Sequence, residues 1–377
     1  LYELEIAGSR ASAGEMRRVM PHVADGRMRL SEVMTHEFSL ANYADALSTF
    51  RDPSSGAIKI LIKPSRKAFR AEPPPNPAEA DDPDIHSGED TCMTDTMQAL
   101  VVLEPERFEI QEVPVPEPGP MEVLCRVKAV SICGTDSHLI AGDYPGFWPP
   151  EFPITPGHEW SGEIVKMGPG AEKAGWKIGD RVAGTSHDAC GVCQQCVEGR
   201  YNLCENYGVM DLHRQYGHNY AGADAEYVVH GVKCIFPLPE TVSWEEGAVI
   251  DPASIALHCA RRGGVKPGDD VVVMGAGPVG LLAADAALAM GAGQVIVVGR
   301  GPRLQKARDM GFTGVDSNAV DVVEAVRLLT DGRGADVILE AAGTPTTLTW
   351  SLAALRKGGR IAAVGIPSEG VSIDMRE

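Results

Sequence analysis

Three groups of residues in this chain have the types and spacing to do chemistry. The first is Cys190, Cys193, Cys196 and Cys204, a Cys-x-x-Cys-x-x-Cys run closed by a fourth cysteine eight positions on. Thiolates at that spacing converge on one cation, and four of them complete a tetrahedral zinc site with no position left for a substrate. Such a zinc staples a lobe and takes no part in turnover. The second group is scattered: Cys133 in Cys133-Gly134-Thr135-Asp136-Ser137-His138, then His158 and Glu159 after Gly157, then Asp251 before Pro252. A thiolate, an imidazole and a carboxylate hold zinc with a fourth position open, which is what catalysis at zinc requires. Each has a plain structural reading too: Cys133 as a small buried apolar side chain, His158 as a core histidine, Asp251 as a helix N-cap.

The third group is Val271-Val272-Val273-Met274-Gly275-Ala276-Gly277-Pro278-Val279-Gly280, a β-branched run that ends in G-x-G-x-x-G. In a strand–turn–helix context the first glycine permits the turn, the second lets the backbone approach a pyrophosphate, and the third lets helix and strand pack. The amides at the helix start, with Pro278 and Val279 in its first turn, then face the phosphates. An NAD site places Asp or Glu about 20 residues on, at the end of the second strand, to hold the ribose hydroxyls. Here the residues are Gly299 and Arg300, with Arg303 close behind and no carboxylate. A small residue leaves room for a 2′-phosphate and a guanidinium pairs with it, so NADP is favoured over NAD.

The elements that must position these groups follow from the rest of the sequence. Residues 251–377 alternate apolar strands (Val271–Met274, Val295–Val298, Val337–Leu339, Arg360–Val364) with amphipathic helices, which predicts a doubly wound parallel sheet. Val271–Val298 is nearly all apolar, but its glycines divide it into strand, helix and strand rather than a membrane span. Residues 97–250 read as short β runs rich in Gly and Pro, with the cysteine lobe at 190–204. Residues 65–96, with Pro73-Pro74-Pro75 and a following acidic run, read as an extended or disordered linker, and a proline-rich partner ligand is the alternative. Residues 1–64 read as strand, helix, strand, helix, strand, with the first helix near Ala13–Met20 stopped or kinked by Pro21 and the last strand at Ala57–Ile62.

Composition sets outer limits. The 377 residues carry a net charge of −18, from 34 basic and 52 acidic side chains. Such a surface repels nucleic acid and anionic membranes. Leu1-Tyr2-Glu3-Leu4-Glu5 lacks the basic and apolar regions of a signal peptide, and metal-type cysteine spacing suits a reducing compartment, so a cytoplasmic location is expected.

Taken together, Gly157-His158-Glu159-x2-Gly162-x5-Gly168, the four-cysteine lobe and the glycine-rich turn resemble, in kind and order, the zinc-containing medium-chain dehydrogenases/reductases, the family of alcohol, sorbitol and threonine dehydrogenases. The resemblance covers nearly all of the chain outside the linker. It implies a Rossmann NAD(P)-binding domain beside a β-rich GroES-like catalytic domain. It further implies one catalytic and one structural zinc, hydride transfer between a small alcohol or polyol and NAD(P), and a homodimer or homotetramer. By that resemblance Cys133 and His158 are catalytic-zinc ligands, Glu159 is a carboxylate able to approach the metal, and Thr135 and His138 match the proton relay. Gly299 falls where NAD-dependent members carry their acid. The family's third ligand is usually Cys or Glu, and this chain offers Asp251. A non-catalytic relative that keeps the fold is the rival reading. A zinc-free quinone reductase is another, with no use for these ligands.

Segment order also departs from the family. Residues 1–30 resemble the C-terminal part of its Rossmann domain and residues 31–64 the C-terminal part of its catalytic domain, while Met93 or Met97 resembles its usual start. The sequence is therefore read as circularly permuted or as a window on a tandem repeat. The expected division is 1–30 and 251–377 for the nucleotide domain, 31–64 and 97–250 for the catalytic domain, and 65–96 for the linker. Leu1–Ala7 is then expected to join the sheet containing Val271–Met274.

Overall fold

A computed structural model describes residues 5–8, 15–64, 96–144, 148–149, 151–366 and 370. Leu1–Leu4, residues 65–95 of the expected linker, Met93 and Val371–Glu377 lie outside the described residues; Thr96 already opens a strand, Thr96–Glu104.

The β-branched run before the glycine-rich turn forms the strand Asp270–Met274. Val271 and Val273 enter one core cluster, Val272 and Met274 another, as befits a strand covered by helices on both faces. Around it lies a six-stranded parallel sheet in the order Thr313–Asp316, Gln294–Gly299, Asp270–Met274, Ala335–Glu340, Leu355–Ala363, Glu5–Gly8. Counting from Asp270–Met274, that is the order 3-2-1-4-5-6 of a dinucleotide-binding sheet, with its switch point beside the Gly275 turn. The sixth position is filled from the other end of the sequence: Glu5 pairs with Arg360, Ile6 with Ile361, Ala7 with Ala362 and Gly8 with Ala363. Thr313–Asp316 was not foreseen, because Thr-Gly-Val-Asp carries no apolar run; it is an edge strand with one neighbour.

The helix after the first strand runs Glu15–Ala24 with Pro21 inside it, so the proline does not stop it. A proline there lacks only its own N–H, and the chain recovers the ladder at once, with Asp25 N donating to Pro21 O at 3.1 Å. Burial explains why it continues. Met16, Val19, Met20 and Val23 form one stripe inside the nucleotide-domain core, so stopping at Met20 would leave Val23 uncovered. Ion pairs fix the helix to its neighbours: Arg261 Nη1 donates to Glu15 Oε1 at 2.5 Å and Arg18 Nη1 to the same oxygen at 2.9 Å. Arg29 Nη2 bonds the buried Asp285 at 2.6 Å.

The second sheet is seven-stranded. Its order is Ile235–Pro237, Arg181–Gly184, Glu159–Met167, Glu122–Ser131, Lys59–Lys63, Met34–Ser39, with Tyr227–Gly231 also paired to Glu122–Ser131. Lys59–Lys63 and the helix Tyr43–Arg51 thus precede the rest of this domain in sequence yet sit within it. Tyr43, Leu47, Ile60 and Ile62 share its core with Leu100, Val130 and Trp160. No helix among the described residues is long and apolar enough to cross a membrane.

Candidate active site and metal centres

Cys133 caps the helix Gly134–Ala141 with extended backbone, φ −98° and ψ 156°, just beyond the strand Glu122–Ser131. Its amide donates to Asp136 Oδ2 at 2.7 Å, so one carboxylate three residues on both caps the helix and fixes the cysteine. His158 and Glu159 come from the start of the neighbouring strand Glu159–Met167, whose Glu159 pairs with Ser131. Gly157 before them has φ +91°, and a Cβ there would stand 2.6 Å from Asp224 N, so no larger residue fits this turn. The result is one cluster: ligand atoms of Cys133, His158 and Glu159 lie within 4.8 Å of one another, and His158 and Glu159 are buried.

Charges around the cluster are balanced. Asp136 Oδ1 lies 3.4 Å from His158 Nδ1. Burial by itself would lower the His158 pKa, but the Asp136 and Cys133 charges outweigh it and hold it well above the usual range. Glu159 accepts from the buried Lys59 ammonium and from Ser131 Oγ, while Lys59 Nζ also donates to Ile132 O at 3.1 Å. Burial opposes the Lys59 charge, and Glu159 and Cys133 restore it, leaving its pKa raised. Sulfur, imidazole and carboxylate in a buried, charge-balanced pocket suit zinc. Asp251 stands apart. It lies in the first turn of the helix Ile250–Arg262 and is not among the ligand atoms grouped with Cys133.

Thr135 Oγ1 is 3.7 Å from Cys133 Sγ. His138, one turn along the same helix, is exposed, and its Nδ1 lies 2.7 Å from Asp143 Oδ2. Next to His158 is His218, with ring centroids 4.5 Å apart. Burial, and then the neighbouring His158, push its pKa down to about 3. Asp136, Lys59 and His218 were not assigned roles from sequence. Asp136 left a trace in its capping-box spacing from Cys133, and Lys59 in being a lone charge within Ile58-Lys59-Ile60-Leu61-Ile62. His218 left none.

The four lobe sulfurs also lie within 4.8 Å of one another, with Cys190 Sγ 3.8 Å from Cys196 Sγ. Backbone amides supply negative-charge support. The Val192 N–H, the Asn206 side chain and the Cys193 N–H bring the Cys190 thiol down to about 6, and the Glu205 N–H lowers Cys193. Burial pushes Cys196 up to about 12. A bound cation would remove that asymmetry, since coordinated thiols are deprotonated. No disulfide forms among the described cysteines.

At the nucleotide turn, Gly277 caps the helix Pro278–Ala289 with Pro278 in its first turn. A Cβ on Gly280 would collide with the Gly275 carbonyl oxygen, whereas one on Gly277 would meet nothing, which leaves open space in front of the helix amides. Gly299 ends the second strand beside them; a Cβ there would come 2.7 Å from Ala276 Cβ. Arg300 is exposed at the start of the helix Gly301–Asp309. Arg303 is partly engaged elsewhere, its Nε donating to Ala57 O at 3.0 Å. A cavity of about 340 Å³ lined by Met97, Tyr216, Tyr220 and Tyr227 opens elsewhere and contains none of these groups.

Comparison with known proteins accords with this arrangement. Residues 119–240 match the alcohol dehydrogenase GroES-like domain and residues 278–377 the zinc-binding dehydrogenase domain. The chain is 39% identical over 275 residues to a sorbitol dehydrogenase of Bacillus subtilis (strain 168), covering 72% of this chain and 76% of that one. It is 37% identical over 274 residues to an L-threonine 3-dehydrogenase of Legionella pneumophila (strain Corby), covering 71% and 77%. A crystal structure of a zinc-binding dehydrogenase from Sinorhizobium meliloti 1021 bound to NADP superposes with a TM-score of 0.68 at 34% identity, over 74% of this chain and 80% of that one. The chain belongs to the zinc-dependent medium-chain dehydrogenase/reductase family and is an NAD(P)-linked oxidoreductase of alcohols or polyols.

Proposed function

We propose that the chain oxidises a secondary alcohol or polyol with NADP, using one zinc held by Cys133, His158 and Glu159 and a second, structural zinc held by Cys190, Cys193, Cys196 and Cys204. The observation that carries this reading is the convergence of Cys133, His158 and Glu159 within 4.8 Å, beside a partnered Asp136. Zinc, when bound, would supply the Lewis acidity that lets an alcohol lose its proton near neutral pH, and NADP would supply the hydride acceptor. Thr135, beside Cys133, and the exposed His138, whose Nδ1 meets Asp143, would relay the hydroxyl proton to water, with the ribose of the bound cofactor as the link between them. Gly275, Gly277 and Gly280 would let the backbone approach the pyrophosphate, and the exposed Arg300 would pair with the 2′-phosphate. Residues 1–30 and 251–377 make up the nucleotide domain, and 31–64 and 97–250 the catalytic domain. A reducing, cytoplasmic setting suits the free thiols, and a homodimer or homotetramer is the assembly expected from the family.

Elemental analysis together with NADP-linked turnover on a panel of polyols, sorbitol included, tests the proposal. The expected result is about two zinc per chain and turnover that chelation abolishes. Zinc at the cysteine lobe alone, in a folded sample that turns over nothing, would replace it with the non-catalytic reading.

A further inference from the structure

Three rings link His138 to His158. His138 meets Tyr144 with centroids 5.8 Å apart, Tyr144 meets Trp148 at 5.5 Å, Trp148 meets His218 at 4.9 Å, and His218 meets His158 at 4.5 Å. The row is held rigidly. Trp148 Nε1 donates to Gln215 Oε1 at 3.0 Å, and Gln215 is itself buried. His218 is 4% exposed, and its Nδ1 lies 3.1 Å from the Tyr216 carbonyl oxygen. A carbonyl only accepts, so Nδ1 carries the proton and Nε2 presents a lone pair. That nitrogen has no hydrogen-bond partner among the described residues and is not sealed from solvent. A nearly buried acceptor without a protein partner is unfavourable unless water or a ligand satisfies it.

We propose that His218 Nε2 accepts a hydrogen bond from the substrate hydroxyl adjacent to the reacting one, with the Trp148 ring against the carbon skeleton, so that the site selects vicinal diols over simple alcohols. The inference rests on Cys133, His158 and Glu159 being the catalytic metal centre. Its chemistry follows from the donor requirement: a lone-pair nitrogen rewards an O–H at that position and gives nothing to a methylene. Charge argues for a neutral neighbour. A substrate carboxylate would enter beside Asp136 and Glu159, both buried, while Lys59 is already paired with Glu159.

The test compares 2,3-butanediol with 2-butanol, which share a skeleton and differ by one hydroxyl. The zinc-loaded wild type should favour the diol in kcat/KM by roughly tenfold or more, about 1.4 kcal/mol. His218→Phe should erase most of that ratio, and His218→Gln, whose Oε1 also accepts, should recover part of it. Using the ratio cancels general damage to the fold. A second readout is calorimetric titration of 2,3-butanediol into protein loaded with NADPH, where His218→Phe should weaken binding by a similar factor. An unchanged ratio in His218→Phe overturns the inference, as does a wild type without diol preference or one that prefers L-threonine to the diol. A wild type that lacks zinc at Cys133 and turns over neither alcohol overturns the metal-centre reading instead.

Discussion

At the scale of single residues, the site depends on groups that touch no substrate. Asp136 is the clearest: one oxygen accepts from the Cys133 amide and the other faces His158, so a single carboxylate orients two of the three grouped ligands. Asp136→Asn should therefore weaken zinc at this cluster by roughly 10–100-fold, the usual loss when an outer partner of a metal ligand is removed. Chelator competition measures it, and the cysteine-lobe zinc serves as an internal control that should not change. Cofactor choice is also set residue by residue. Arg300→Ala should lower kcat/KM for NADP by about tenfold while sparing NAD, because one exposed guanidinium–phosphate pair is lost. Equal losses with both cofactors would show that Arg300 acts through the fold. Ligand types and spacing were legible in the sequence because thiolate and imidazole chemistry is local. Lys59 and His218 were not, since Glu159 and His158, the residues they meet, lie 100 and 60 positions away in the chain.

At the scale of elements, periodic burial was legible and terminators were less so. The Val271–Met274 strand and its helix follow from β-branching, glycine and apolar content, and they appear within a residue or two of expectation. Pro21 does not end its helix, because the proline's local cost is outweighed by the buried stripe on either side of it. The same helix carries a titration signature. Glu15 is pulled down to about 2 from 4.5: burial opposes its charge, but His258, Arg261 and Arg18 more than compensate. A depressed folded-state pKa means the carboxylate stabilises the fold above the unfolded value and loses that contribution as pH falls from about 4.5 towards about 2. Because Arg18 and Arg261 are substantially exposed, the contribution is discounted to at most about 2 kcal/mol. Glu15→Gln should lower the apparent Tm by a constant amount at neutral and mildly acid pH, and the gap to wild type should narrow below about pH 4.5. Zinc loss in acid affects both proteins alike, so the difference stays readable. A gap that widens in acid would reverse the sign and remove Glu15 from the network.

At the scale of the whole molecule, two sheets are each assembled from separated stretches of sequence. Glu5–Gly8 supplies the sixth strand of the parallel sheet and Met16 to Val33 join its core, while Leu40, Tyr43, Leu47, Ile60 and Ile62 join the core of the second sheet and Lys59 reaches Glu159. The composition of residues 1–64 gives no hint of this division. Only the mismatch between an unpaired strand and a helix with no sheet to cover points to it, together with the resemblance that supplies the missing partners. Interlocked this way, residues 96–377 lack the strands Met34–Ser39 and Lys59–Lys63 of the second sheet and the helix Glu15–Ala24, which packs on Ile250–Arg262. Expressed without residues 1–64, that portion should be insoluble or should expose apolar surface to a hydrophobic dye, because both cores lose a wall. Supplied with residues 1–64 as a separate chain in the same cell, it should recover solubility, bind about two zinc per complex and hold the small fragment through purification. Only residues 65–95 are absent from such a pair. Residues 96–377 folding alone with full zinc content and NADP-linked activity would show that the first 64 residues are an accessory, and the two-part assembly of each domain would have to be abandoned.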